Sequence, residues 1–138
     1  LGSPWGFSSQ VRTSFNHRGV YSPATADLDG DGLLDLVLPR YRAGTASTHV
    51  NTTSRVFFNS AEGFDPSTYT SLATSGASGV AIGDIDLDGL PDILFNNYYS
   101  GTWGNPAETS LYLAADSWTV PDTVHSYGVW APPVLVGL

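Results

Sequence analysis

Apolar residues along this chain come in short runs rather than in long amphipathic stretches. Runs such as LLDLVL (33–38) and PDILF (91–95) are β-branched or aromatic and bounded by turn residues, which predicts buried strands. A short segment precedes each of them, GVYSPATA (19–26) and GVAIG (79–83), and a further one follows each, SRVFFN (54–59) and SLYLAA (110–115). A weaker fourth signal lies around Phe64 to Tyr69 and around Trp118 to Val120. Connections rich in Gly, Ser, Asn and Thr separate these runs, and no segment carries a helical period.

The pattern repeats. At a shift of 57 residues, Asp27, Asp29, Asp31, Gly32, Leu33, Asp35, Leu36 and Leu38 fall on Asp84, Asp86, Asp88, Gly89, Leu90, Asp92, Ile93 and Phe95. Units of this length built from short strands predict an all-β fold of antiparallel, propeller-like blades. A two-unit β-sandwich is the competing architecture. The boundaries read as the closing strand of a preceding blade (1–18), repeat 1 (19–75), repeat 2 (76–127) and the start of a third, metal-less repeat (128–138). In that last segment Val136 and Leu138 stand where the first two aspartates would be. Two blades do not close a ring, so the expectation is an open array completed by neighbouring repeats or by other copies through the end segments 1–12 and 128–138.

Charge sharpens this picture. The net charge is −8, and eight of the thirteen acidic residues lie in DLDGDGLLD (27–35) and DIDLDGLPD (84–92). The other five acids are matched by five arginines. The demand for cations is therefore local. Alternating aspartates converge when the backbone coils tightly, placing carboxylates at loop positions 1, 3 and 5, a carbonyl at 7 and a further acid around one hard cation. Oxygen-only ligation selects Ca²⁺ over zinc or copper. An EF-hand requires glutamate at position 12, where the chain has Leu38 and Phe95, and the last acid comes at position 9 instead. With strands on both sides, the loops read as strand–loop–strand calcium hairpins.

DLDGDGLLDLVL and DIDLDGLPDILF resemble the D-x-D-x-D-G-x-x-D core of FG-GAP/VCBS repeats, the blades of integrin-α-type β-propellers. The resemblance implies one Ca²⁺ held by the side chains of Asp27, Asp29, Asp31 and Asp35 with the Leu33 carbonyl. It implies a second held by Asp84, Asp86, Asp88 and Asp92 with the Leu90 carbonyl.

Other residues add less. His17, His49 and His125 are far apart and have no nucleophile or zinc spacing, so no catalytic residue is expected. Trp103, Tyr98 and Tyr99 are candidate ligand contacts in a turn-rich loop, and Arg40 and Arg42 are candidates to meet an acidic ligand. Asn51-Thr52-Thr53 is an N-glycosylation sequon. The absence of cysteine excludes disulfides and thiolate metal sites, and the absence of a basic cluster argues against nucleic acid. No apolar run approaches the ~20 residues a membrane span needs. A chain without methionine reads as a processed or excised segment from which any signal peptide would be gone.

These features together lead to the expectation of a secreted, calcium-stabilised β-repeat module with a structural or adhesive role, part of a larger array or filament. Its partners would be copies of itself or adjacent repeats, with glycans or cell-surface proteins as possible ligands. The alternatives are a carbohydrate-binding module or part of a calcium-dependent propeller polysaccharide lyase or hydrolase.

Overall fold

The computed structural model describes residues 12–42, 52–98 and 108–114, and the backbone alone of 122–124. Among these residues the fold is all-β, with two four-stranded antiparallel sheets of order β1-β2-β3-β4 and β5-β6-β7-β8. The first comprises β1 (Ala24–Ala26), β2 (Asp35–Leu38), β3 (Thr52–Phe57) and β4 (Thr70–Thr74). The second comprises β5 (Ala77–Gly83), β6 (Asp92–Asn97), β7 (Thr109–Tyr112) and β8 (Asp122–Val124). Each aspartate loop joins the first two strands of its sheet, so both sheets are meanders entered by the same hairpin.

Alternation within the strands decides which sheet face meets which. In the first sheet, Ala24 pairs with Val37 and Val37 with Val56, which puts these three on one face with Leu72 of β4. In the second, Ile82, Ile93 and Tyr112 align across three strands, as do Val80, Phe95 and Ser110. These two faces pack on each other, and Val37, Val56, Leu72, Val80, Ile93, Phe95 and Tyr112 form the buried core. The rings of Phe95 and Tyr112 meet edge to face at 6.0 Å. Tyr112 keeps its hydroxyl satisfied by donating to the Ala73 carbonyl of β4 at 2.6 Å, a bond from one sheet to the other.

At the end of the sheets opposite the aspartate loops, small polar groups take over from hydrocarbon. The hydroxyl of Thr74 lies 3.0 Å from that of Thr52 and 2.9 Å from that of Ser54, and Thr52 Oγ1 also accepts the Gly76 N–H at 2.9 Å. Asn97 then ties the sheets together: its Oδ1 accepts the Ser75 N–H at 3.0 Å, and its Nδ2 donates to the Glu108 carbonyl at 2.7 Å. Buried polar groups are tolerated here because each finds a partner.

One strand lies later than the sequence pattern indicates. Residues 64–69 form a turn, and β4 begins at Thr70. The reason is local: Asp65 accepts hydrogen bonds from the Ser67 N–H at 2.9 Å, the Ser67 hydroxyl at 2.6 Å and the Thr68 hydroxyl at 2.8 Å. These side-chain bonds favour a turn over an extended ladder.

Candidate metal centre

The two aspartate loops fold alike, almost atom for atom. In the first, Asp27 Oδ2 accepts the Gly32 N–H at 2.9 Å, and in the second Asp84 Oδ2 accepts the Gly89 N–H at 3.0 Å. Asp29 and Asp86 each accept the N–H two residues on, both at 3.2 Å. Asp31 and Asp88 accept the Leu33 and Leu90 N–H groups, both at 2.8 Å. Each carboxylate curls the backbone back toward itself, which is why the one-residue spacing yields a coil instead of a strand.

That coil needs left-handed backbone at two positions. Gly32 and Gly89 supply the later one, with φ of 87° and 90°. At the earlier one the first loop has Gly30 at 78°, whereas the second has Leu87 at 65°. Leu87 is 78% exposed, so no packing offsets its strain.

As a result, the side chains converge. One oxygen from each of Asp27, Asp29 and Asp35 lies within 4.8 Å of the others, and the same holds for Asp84, Asp86 and Asp88. Asp31 and Asp92 stand outside these tightest groupings. Leu33 and Leu90 sit at loop position 7, half-buried and exposed respectively. The donor set is oxygen only and flexible, which suits a hard divalent cation such as Ca²⁺.

Position 9 has a second task, invisible in the spacing. Asp35 is fully buried; its Oδ2 accepts the Leu28 N–H and its Oδ1 the Asn59 N–H, both at 2.8 Å. Asp92, equally buried, repeats this with Ile85 at 2.8 Å and Ala114 at 2.9 Å. Each carboxylate therefore clamps the start of its own loop to the chain just beyond the third strand. Burial pushes the Asp35 carboxyl above its ordinary range, helped by the charges of Asp29 and Asp31 and opposed by the two N–H donors. In the second loop the Asp86 carboxyl is raised, first by desolvation and then by the like charges of Asp88, Asp92 and Asp84, against the Asp88 N–H.

The remaining candidates lie apart. Tyr98 packs on Tyr41 at 5.3 Å, Tyr41 on Tyr21 at 5.0 Å, and the Arg42 guanidinium lies 5.5 Å from the Tyr41 ring centre. This aromatic group sits at the end opposite the aspartate loops. Tyr99, Trp103 and Asn51 lie outside the described residues, as do His49, His125 and all four tryptophans. His17 is described, and it packs against the first sheet near Arg40 and Arg55.

A two-unit, aspartate-looped β-repeat is thus the class that the fold defines. The family model for the FG-GAP repeat matches residues 19–54, about a quarter of the chain, and the second unit, outside that match, has the same loop geometry. No curated protein and no solved structure gives a significant match.

Proposed function

We propose that the chain is a calcium-stabilised β-repeat module that works by building and binding outside the cell, with adjacent repeats or further copies as its neighbours, and that it is not an enzyme. The observation carrying this reading is the duplication of the aspartate loop: two hairpins, each with three carboxylates converging within 4.8 Å, enter the two sheets in the same way. Carboxylates so close repel one another, and a bound divalent ion would supply the cancelling charge. Two such ions would bring the net charge from −8 to about −4. The chain's own residues do the rest. Asp27, Asp29 and Asp35 would hold one cation and Asp84, Asp86 and Asp88 the other, while Asp35 and Asp92 also lock each loop to its sheet.

In this reading the metal is structural, since it fixes the turn that sets strand register. Extracellular calcium at about 10⁻³ M suffices for loops of modest affinity. Calorimetric titration of metal-stripped protein tests it: the expected result is two Ca²⁺ bound per chain with little heat from Mg²⁺, and absence of binding would refute it.

The Tyr21–Tyr41–Tyr98 group with Arg42 supports a second reading, a carbohydrate-binding module, because aromatic faces beside a guanidinium suit sugars bearing acidic groups. A glycan array probed with wild-type protein and with Tyr21→Ala separates the two.

A further inference from the structure

The two faces of the first sheet meet different things. One packs on the second sheet. On the other, register places Leu36 beside Phe57 and Leu38 beside Arg55, and residues 12–18 lie across it without forming a strand. The Phe15 ring meets Phe57 edge-on at 4.6 Å and Phe64 at 5.7 Å. The Asn16 carbonyl accepts a hydrogen bond from Arg55 Nη1 at 3.0 Å, and that guanidinium in turn lies 3.9 Å from the Tyr69 ring centre.

The covered face corresponds to a docking face in the second sheet. Leu36 and Leu38 are the repeat equivalents of Ile93 and Phe95, the residues through which the second sheet packs on the first. Among the described residues, Phe15 and its neighbours cover this face in the first sheet. Repeat units bury such faces against one another or under a cap.

Within this cover His17 is the weak point. Both ring nitrogens are buried, and the acceptor beside the ring, the Leu38 carbonyl, is too poorly placed to form a full hydrogen bond. The charged groups facing the ring are Arg55 of β3 and Arg40 just beyond β2, with the Leu38 carbonyl of β2 alone favouring a proton. Arg12 and Arg18 flank it on its own segment, and among the described residues no carboxylate faces it. Burial and the two guanidiniums push the imidazole down to about 4.

We propose that residues 12–18 are a displaceable strap over the sheet-docking face of the first blade, that a sheet from a second copy of the chain is the partner for that face, and that protonation of His17 releases the strap. This rests on the repeat-module reading above and names its partner surface. A proton on His17 adds a third positive charge beside two arginines, with no carboxylate among the described residues facing it. Lifting residues 12–18 relieves that charge and exposes Phe57, beside Leu36 in register.

Sedimentation velocity in calcium-containing buffer tests this on the full chain. Wild type is expected to be monomeric at pH 7 and to associate as pH approaches 4, whereas His17→Gln stays monomeric at both. Phe15→Ala is expected to associate already at pH 7, with a dimer constant at least about tenfold tighter than wild type. Adding Leu36→Lys to Phe15→Ala restores the monomer. A folded Phe15→Ala protein that remains monomeric, or one whose association ignores Leu36→Lys, overturns the proposal. Should Phe15→Ala not fold, the wild-type acid arm decides: His17 titrating by NMR without any association overturns it. Calcium-induced melting shifts on the same samples keep the two readings apart, since failure of the strap leaves those shifts intact and failure of the module reading removes them in every variant.

Discussion

Asp35 Oδ1 accepts the backbone N–H of Asn59, 24 residues further along the chain, at 2.8 Å. Its other oxygen takes the Leu28 N–H, so a single carboxylate joins the loop, β2 and the end of β3. Asp35→Ala would leave two N–H groups without an acceptor in a buried setting. The expected loss is about 3 kcal/mol in urea denaturation, and it persists in chelator. Asp29→Ala, which removes a loop carboxylate from an exposed position, is expected to cost stability only when calcium is present. Equal behaviour of the two variants would show that position 9 has no separate clamping role.

Leu87 is an exposed leucine in left-handed backbone, at the position where the first loop has glycine. Asparagine tolerates that conformation, so Leu87→Asn is expected to raise stability by about 1 kcal/mol in metal-free buffer. Gly30→Leu in the first loop should lower it by a similar amount. Thermal denaturation of the two variants reads both signs.

The two sheets are joined by a hydroxyl. Tyr112→Phe removes the bond to the Ala73 carbonyl while keeping the ring against Phe95, and about 1 kcal/mol should be lost. Since the hydroxyl bridges the sheets, amides of β4 and β7 are expected to lose hydrogen-exchange protection before those of the aspartate loops.

Stability should depend on pH in opposite directions with and without metal. The Asp35 carboxyl is raised in the fold, so metal-free folded protein binds the proton more tightly than unfolded chain does. Its contribution is present at low pH and is lost as pH rises from 3.8 through the raised value. Bound calcium would reverse the sign, because it requires ionised ligands. His17 acts separately: lowered from 6.5 to about 4, it costs stability as pH falls across that interval. After discounting for its partial exposure, the cost is about 2 kcal/mol. Urea midpoints of wild type and His17→Gln between about pH 4 and 8 should diverge as pH falls. In His17→Gln the midpoints should rise on acidification in chelator and fall in calcium. The same slope in both buffers would contradict the assignment.

The strands that carry the fold were legible because they combine β-branched or aromatic residues with turn residues at both ends, as in LVL of β2 and DILF of β6. The loops were legible because alternating aspartates have few other uses. Less visible were contacts made through the main chain. Nothing in the spacing of Asp35 or Asp92 marks an acceptor for an N–H more than twenty residues away. The hydroxyl network of Thr52, Ser54 and Thr74 leaves no mark in the sequence for a related reason, since single hydroxyl residues in strands carry no period of their own. Asp65 shows local chemistry overriding an apolar pattern: Phe64 and Tyr69 suggest a strand, but the side-chain bonds between them make a turn. His17 looked isolated in sequence, and only the pairing of β2 with β3 brings Arg40 and Arg55 to it.

As proposed, these loops would act as calcium staples. Scanning calorimetry of one preparation in chelator, in Ca²⁺ and in Mg²⁺, beside the double variant Asp29→Ala/Asp86→Ala, tests it most directly. The expected result is a clear rise in melting temperature with Ca²⁺, little with Mg²⁺, and none in the double variant. A wild-type melting temperature that is the same in chelator and in calcium would contradict it.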